Sequence, residues 1–293
     1  MADCIRATSI FISLGALWAG ALCGDPPPAA AADTWHAKID KGNSQALQGH
    51  FPEAARIYQE SINDARGYGD RSQEMAQSIA RLASMDAEMG RIKEARAKAE
   101  QALAIAVELK TKHKNLDDLL PCMEDLAGAL TSHKITADRA LGLEEGLKIR
   151  ETLFDSNHTG LKRNRDELLD AYESEHQYKQ EEALLKRMYA AAVKASKEEH
   201  PSVRQSPESF QMRLALVYQM DGQLTEAEKL YRARIADYEK TGNAHFMRKA
   251  YLNLAKVLRA THREPEAKKV DAQLQVLLKS RPEFRKYLNQ DQS

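Results

Sequence analysis

From residue 35 to residue 280, apolar side chains recur at intervals of three and four. Ile79, Leu82, Ala83, Ala87 and Met89 precede Gly90, and Ala95, Ala99, Ala102, Leu103 and Val107 follow it. Leu214, Ala215, Val217 and Tyr218 precede Gly222, and Ala227, Leu230, Tyr231 and Ile235 follow it. Such spacing puts each set on one face of an α-helix. Each glycine therefore marks a turn between two amphipathic helices, at a point where the chain needs the positive φ that glycine tolerates. Pro52 and Pro265 fall just inside a second helix, where a missing N–H costs little.

The turns repeat. Gln48-Gly49-His50-Phe51-Pro52-Glu53-Ala54 aligns with Met89-Gly90-Arg91-Ile92-Lys93-Glu94-Ala95 and with Asp221-Gly222-Gln223-Leu224-Thr225-Glu226-Ala227. Looser copies begin at His176 and His262, and a degenerate one centres on Lys134. The anchors at 49, 90, 134, 176, 222 and 262 are separated by 41, 44, 42, 46 and 40 residues. This near-constant period predicts six helix pairs at about 35–66, 73–110, 115–155, 160–196, 206–240 and 244–280. A stack of such units contacts only its neighbours, so it escapes the size limit of a single core. Ala54, Ala95, Ala227 and Ala267 are expected where paired helices touch. Glu283–Asn289, with Phe284, Tyr287 and Leu288, is expected to cap the last pair.

With the Leu-Ala pairs Leu82-Ala83, Leu126-Ala127, Leu214-Ala215 and Leu254-Ala255, the turn glycine, the following alanine and Tyr58 or Tyr231, the sequence resembles the tetratricopeptide repeat family. The common form of that repeat has about 34 residues. The longer units here are similar to the kinesin-light-chain subtype, through Gly146–Leu153 followed by His158, and Glu198–Val203 with His200. The resemblance implies an all-α, right-handed superhelical solenoid that binds a protein or peptide.

Composition agrees. Leu, Ala, Glu, Lys and Arg dominate, and the 43% hydrophobic content suffices for a core. The 43 basic and 43 acidic residues cancel, which argues against nucleic acid as the main partner. Residues 1–32 read as a leader rather than as part of the fold: an apolar run Ala7–Cys23, then Pro26-Pro27-Pro28, then the small-x-small pattern Ala30-Ala31-Ala32 before Asp33. They predict export, periplasmic or secreted, with cleavage before Asp33; the alternative is an uncleaved membrane anchor. Leu22 stands where a lipobox before Cys23 needs a small residue. The array is then 33–281, followed by a cap and tail at 282–293. Cys122 is left alone in the mature chain, which excludes an internal disulfide and predicts a buried, inert thiol.

Chemistry-bearing motifs are missing from the sequence. It has no phosphate-cradling loop, nucleophile elbow or His-Glu-x-x-His pair. The scattered histidines fit repeated structural roles, so neither an enzyme, a cofactor nor a metal is expected. In the resembled family, the first helix of each pair lines the concave groove. Carried over residue by residue, that gives the candidates Glu124, Asp125, Arg163, Asp166, Glu167, Asp170 and Glu173 in repeats three and four, and Arg213, Lys249, Asn253, Lys256 and Arg259 in repeats five and six. Asn253 matches an asparagine that in relatives hydrogen-bonds a bound peptide backbone; the equivalent residues elsewhere are Asp40, Arg81, Asp125, Glu167 and Arg213. The basic residues do not reproduce the clamp that chaperone-binding relatives use for a C-terminal carboxylate. The expected function is an exported scaffold with a charged groove, and self-association into an envelope structure is the alternative.

Overall fold

The computed structural model describes residues 29–132, 138–155, 158–197, 207–241 and 244–280. Over these residues the chain is all α. Twelve helices run in order: α1 Ala29–Leu47, α2 Phe51–Ala65, α3 Gln73–Glu88, α4 Ile92–Thr111, α5 Leu119–Ser132, α6 Arg139–Leu153, α7 Thr159–Ser174, α8 Tyr178–Lys197, α9 Pro207–Met220, α10 Leu224–Thr241, α11 Ala244–Ala260 and α12 Glu264–Ser280. A short 3-10 turn, Arg66–Tyr68, follows α2. The six expected pairs are these six pairs, with α1 starting earlier than the apolar pattern suggests. Among the described residues no helix is long and apolar enough to cross a membrane. The leader through residue 28, the Lys134 anchor, His200 and the expected capping segment lie outside the described residues.

The repeated turns share one backbone device. Gly49, Gly90 and Gly222 stand at φ of 77°, 76° and 75°. In each case the next residue's N–H reaches back to close the helix: His50 to the Gln45 carbonyl, Arg91 to that of Asp86, Gln223 to that of Tyr218. This pattern satisfies carbonyls that a helix end leaves unpaired. His176 and His262 do the same work at φ of 57° and 58°, with Gln177 N–H on Tyr172 and Arg263 N–H on Leu258. Histidine is among the few non-glycine residues enriched in this left-handed region. Their place in the anchor motif is therefore a backbone conformation. His113, at φ 53°, ends α4 in the same way, although it lies between repeats and outside the anchor pattern.

Two compact units divide the chain, up to Leu168 and from Leu169, so the boundary falls within α7. In the first, α1 packs on α2, α2 on α3 and α3 on α4, while α3 also packs on α5 and α4 on α6. First helices thus stack on first helices and second on second. In the second unit α9 packs on α8, α10 and α11, and α11 on α12. Close approach depends on small residues. Ala54, Ala95, Ala227 and Ala267 are fully buried, as the repeat pattern requires. Glycines do the same where no motif announces them. A β-carbon on Gly42 would collide with the Tyr58 ring, and one on Gly142 with the Leu130 carbonyl. Ser72 caps α3 by accepting from the Met75 N–H at 3.1 Å. Trp35 is buried and donates its indole N–H to Ser78 Oγ at 2.9 Å, which fixes α1 to α3.

Candidate functional site

In the first unit, first helices α1, α3 and α5 frame a groove of about 350 Å³ lined by Asn43, Ala46, Leu47, Tyr58, Arg81, Ser84, Met85, Cys122 and Asp125. The spacing explains the set: 43 and 47, 81 and 85, and 122 and 125 each lie about one turn apart on one helix face. Each of these spaced pairs holds one polar and one apolar residue. Leu47 is 90% exposed, an unusual position for so large an apolar side chain. The Asn43 Oδ1 accepts from the Tyr58 hydroxyl at 2.8 Å and from Arg81 Nη1 at 2.7 Å. Arg81 Nε is shielded from solvent without a hydrogen-bond partner. Asp125 stays exposed on one side. Burial on the other side pushes its carboxyl above the ordinary aspartate range, against the pull of Arg81 and with the push of Glu124. Cys122 is buried, its thiol pushed up to about 11 by the loss of water, and its Sγ lies 3.7 Å from the Gln77 carbonyl. A thiol so placed is inert, as the sequence suggests.

Of the other candidates of this unit, Glu124 has a duty within the fold. Glu124 faces Arg150, which is 1% exposed and donates Nε and Nη2 to that carboxylate at 2.9–3.1 Å. Arg150 Nη1 also donates to Asn164 Oδ1 at 2.8 Å, and Asn164 Nδ2 donates to the Leu143 carbonyl at 3.0 Å. His158 stacks on Phe154, with ring centres 4.6 Å apart, and comes within 3.9 Å of Glu124. Arg163 and Glu167 form a loose surface pair at 3.8 Å, and Asp166 is half-buried. A larger hollow of about 710 Å³, lined from α2, α3 and α4, lies over Met75, Ile79 and Ile105; Arg71 at its rim pairs with Glu108 at 3.2 Å.

In the second unit, charges expected to stand apart are joined. Arg213 reaches Glu181 at 2.9 Å, Asp170 at 3.1 Å and Glu173 at 3.3 Å. Glu181 is 1% exposed, and burial pushes its carboxyl up while Arg213 holds it down. Arg259 pairs with Asp271 and, at 3.6 Å, with Glu264. Lys249 and Lys256 are exposed. Asn253 lies beside the Tyr231 hydroxyl, which donates to Gln219 Oε1 at 3.1 Å. Tyr231 and Tyr58 hold the same place in their repeats, nine residues after Gly222 and Gly49, and Asn253 and Arg81 hold equivalent places in the repeats that follow. In both units a tyrosine hydroxyl therefore sits beside the groove position of the next repeat.

Sequence reasoning picked out Asp125 but not the groove partners Asn43, Leu47, Tyr58 and Met85, and it named Arg81 only as a departure from asparagine. The signal available was the one-turn spacing of polar and apolar residues on α1, α3 and α5. Among the described residues no group of three or more His, Cys, Asp or Glu is arranged to hold a metal.

No protein-family model matches the chain, and no curated protein matches it. Solved structures of similar fold are tetratricopeptide-repeat proteins, kinesin-light-chain-like repeats among them. The nearly identical TPR-like repeats of a kinesin-light-chain-type protein of Podosopora anserina share 24% identity and a TM-score of 0.43, over 72% of this chain and 99% of that one. BtubC (BKLC) from P. vanneervenii shares 17% identity and a TM-score of 0.40, over 80% and 92%. The type IV pilus biogenesis factor PilW shares 15% and 0.35, over 87% and 98%. The repeat fold itself rests on the six helix pairs and on the turn geometry shared by the five whose turns lie among the described residues.

Proposed function

We propose that this chain is an exported scaffold that holds a protein or peptide partner against its first helices. The observation that supports this reading is the groove across α1, α3 and α5, where an exposed leucine, a tethered arginine and a half-solvated aspartate meet on three successive repeats. First helices also pack within the stack, but their groove-facing Leu47 and Asp125 stay exposed. The charged part of the surface is narrower than the sequence suggests, since Glu124, Arg213 and Arg259 are engaged within the fold. Exposed Lys249 and Lys256 remain as the basic contribution. Export rests on the leader's apolar run and on Ala30-Ala31-Ala32; retention of that run would instead anchor the protein in a membrane.

The test is affinity purification with the mature chain from its own organism, alongside the variant Leu47→Glu. Leu47 is exposed, so the variant leaves the core intact. The reading expects proteins retained by the parent and released by the variant. Identical retention by both would overturn it. A second reading, self-assembly, is favoured by Val276, 67% exposed on the last described helix. It expects oligomers in native mass spectra that grow with concentration and need no added partner.

A further inference from the structure

We propose that the hollow between α2 and α4 binds a medium-chain aliphatic carboxylate, its head on Arg66 and Arg71 and its chain over Met75, Ile79 and Ile105. The hollow is a different site from the first-helix groove, so the proposal does not rest on the scaffold reading.

The site begins with an irregularity in the stack. Second helices α4 and α6 pack together, whereas α2 and α4 are held apart, each resting on α3. The residues that α4 turns to the gap include Ala97, Gln101 and Ala104. At spacings of four and three they share one helix face, and all are exposed. Alanine at 97 and 104 leaves the gap unfilled. Beneath it Met75, Ile79 and Ile105 are buried and make an apolar floor. The volume of about 710 Å³ lies within the range of small-molecule sites, which are mostly apolar with a few polar groups that orient the ligand.

The two ends of the hollow differ in charge. Arg71 pairs with Glu108 at 3.2 Å, which puts its rim near the C-terminal end of α4. Arg66 and Asp70 line the same end. Lys112 holds Glu108 at 2.7 Å from the other side. These five groups carry three positive charges and two negative ones. Arg66 is exposed and has no ion-pair partner among the described residues. A guanidinium has five N–H donors, and Nε is the one through which Arg71 meets Glu108. A carboxylate answers both the surplus charge and the spare donors, since its two oxygens accept in the fork geometry that guanidinium favours. Toward the opposite end stands Glu100, with Arg96 at 3.4 Å and Lys148 at 3.6 Å already beside it. An acid entering head-first there meets repulsion, so the head belongs with the arginines.

Length sets the chain. Ala97 to Ile105 spans about 12 Å along α4, at 1.5 Å per residue. An extended carbon chain advances about 1.25 Å per bond at ordinary C–C length and angle, so about nine or ten carbons run from one end to the other. Each CH2 taken out of water is worth about fourfold in affinity. A shorter acid reaches the arginines and leaves the floor bare; a longer one projects past Ala97 into water.

The test is equilibrium dialysis of radiolabelled decanoate against the mature chain, below the concentration at which micelles form. Saturable binding of one decanoate per chain is expected. Hexanoate and decan-1-ol are each expected to bind at least tenfold more weakly, the first for want of chain and the second for want of charge. Arg66→Met removes the free donor, and Ala104→Phe fills the gap; both positions are exposed, so melting curves should match the parent. Each variant should lose at least tenfold, while Lys249→Met, exposed on α11, should bind as the parent does. Absence of saturable binding overturns the proposal. So does decan-1-ol within twofold of decanoate, or either hollow variant within twofold of the parent. Flotation of the chain with phosphatidylglycerol vesicles, with decanoate in solution left unbound, overturns it in favour of a membrane surface.

Discussion

Arg150 of α6 and Glu124 of α5 form an internal ion pair in which the cation is 1% exposed and the carboxylate about one-third exposed. The arginine is locked on its other side by Asn164. A buried charge that loses its partner costs far more than a surface one. Glu124→Ala should therefore destabilise the protein by about 3 kcal/mol in chemical denaturation, and Glu124→Gln by less, because the amide oxygen still accepts from the guanidinium. A loss below about 0.5 kcal/mol for the alanine variant would return Glu124 to the ordinary surface.

The turns allow a cleaner comparison. Gly222 stands at φ 75° and a β-carbon there would meet nothing within 4 Å. The cost of Gly222→Ala is then conformational, about 1 kcal/mol. His262 holds the same place at φ 58°. Its replacement by glycine relieves that strain but frees the unfolded chain, so His262→Gly should lie within about 0.5 kcal/mol of the parent or be stabilising. Melting temperatures of the two variants, measured side by side, should shift in clearly different ways. Equal losses would mean that the left-handed conformation is not what these residues share.

The contrast between these turns and Arg150 shows what the sequence makes legible. Turns recur, so Gly49, Gly90, Gly222, His176 and His262 could be aligned before any coordinate was known, and the helix pairs followed from them. His113 adopts the same conformation between repeats and was invisible because nothing aligns with it. Arg150, in Lys148-Ile149-Arg150-Glu151, has the local pattern of a surface charge; its burial depends on Gly160, whose missing β-carbon makes room for the guanidinium. The groove was half legible. Asp125 could be placed by register, but Asn43 and Arg81 meet through a hydrogen bond spanning 38 residues, and no local pattern announces that.

Export is expected to cut the chain before Asp33, and the structure raises the stakes of where. Ala29–Ala32 begin α1, while Trp35, the third residue of a chain cut before Asp33, is buried against Ser78 and Tyr68. A chain starting at Asp33 should melt like one starting at Ala29. Trp35→Ala should cost about 3–5 kcal/mol, as large buried aromatics do. N-terminal sequencing of exported material should read Asp33 or a residue just before it. A start beyond Trp35 would contradict both the leader boundary and the role of α1.

Glu145 of α6 is 1% exposed, and burial pushes its carboxyl up, with Lys148 and Arg96 opposing and Glu100 assisting. A folded-state value above the unfolded one, near 4.3, means the native protein binds more protons in the interval between them. Stability from this group therefore falls as pH rises through that interval and is constant above it. Glu145→Gln removes the term. The stability of Glu145→Gln relative to the parent should grow from pH 4 to pH 7, by urea denaturation at each pH. A difference that shrinks over that range would mean that Lys148 and Arg96 outweigh burial.

Arg213 and the lysines of α11 are all basic groove candidates, but they differ in what they hold. Arg213 is the counter-ion of Glu181, a carboxylate 1% exposed, and it also engages Asp170 and Glu173. Arg213→Ala leaves three acids together with one of them buried, and should cost about 2–4 kcal/mol at neutral pH. Acid should restore part of that loss, because Glu181, already pushed up by burial, loses the cation that held it down and takes a proton more readily. Lys249 and Lys256 are exposed, so Lys249→Glu with Lys256→Glu should change stability by less than about 0.5 kcal/mol each. If this face meets an acidic partner, the double reversal should slow association more than it speeds dissociation, and the effect should fade as salt approaches physiological strength and beyond. Denaturation curves and association rates measured on the same two proteins separate the roles. An Arg213→Ala variant that stays fully stable, or a lysine reversal that unfolds the chain, would exchange the assignments made here.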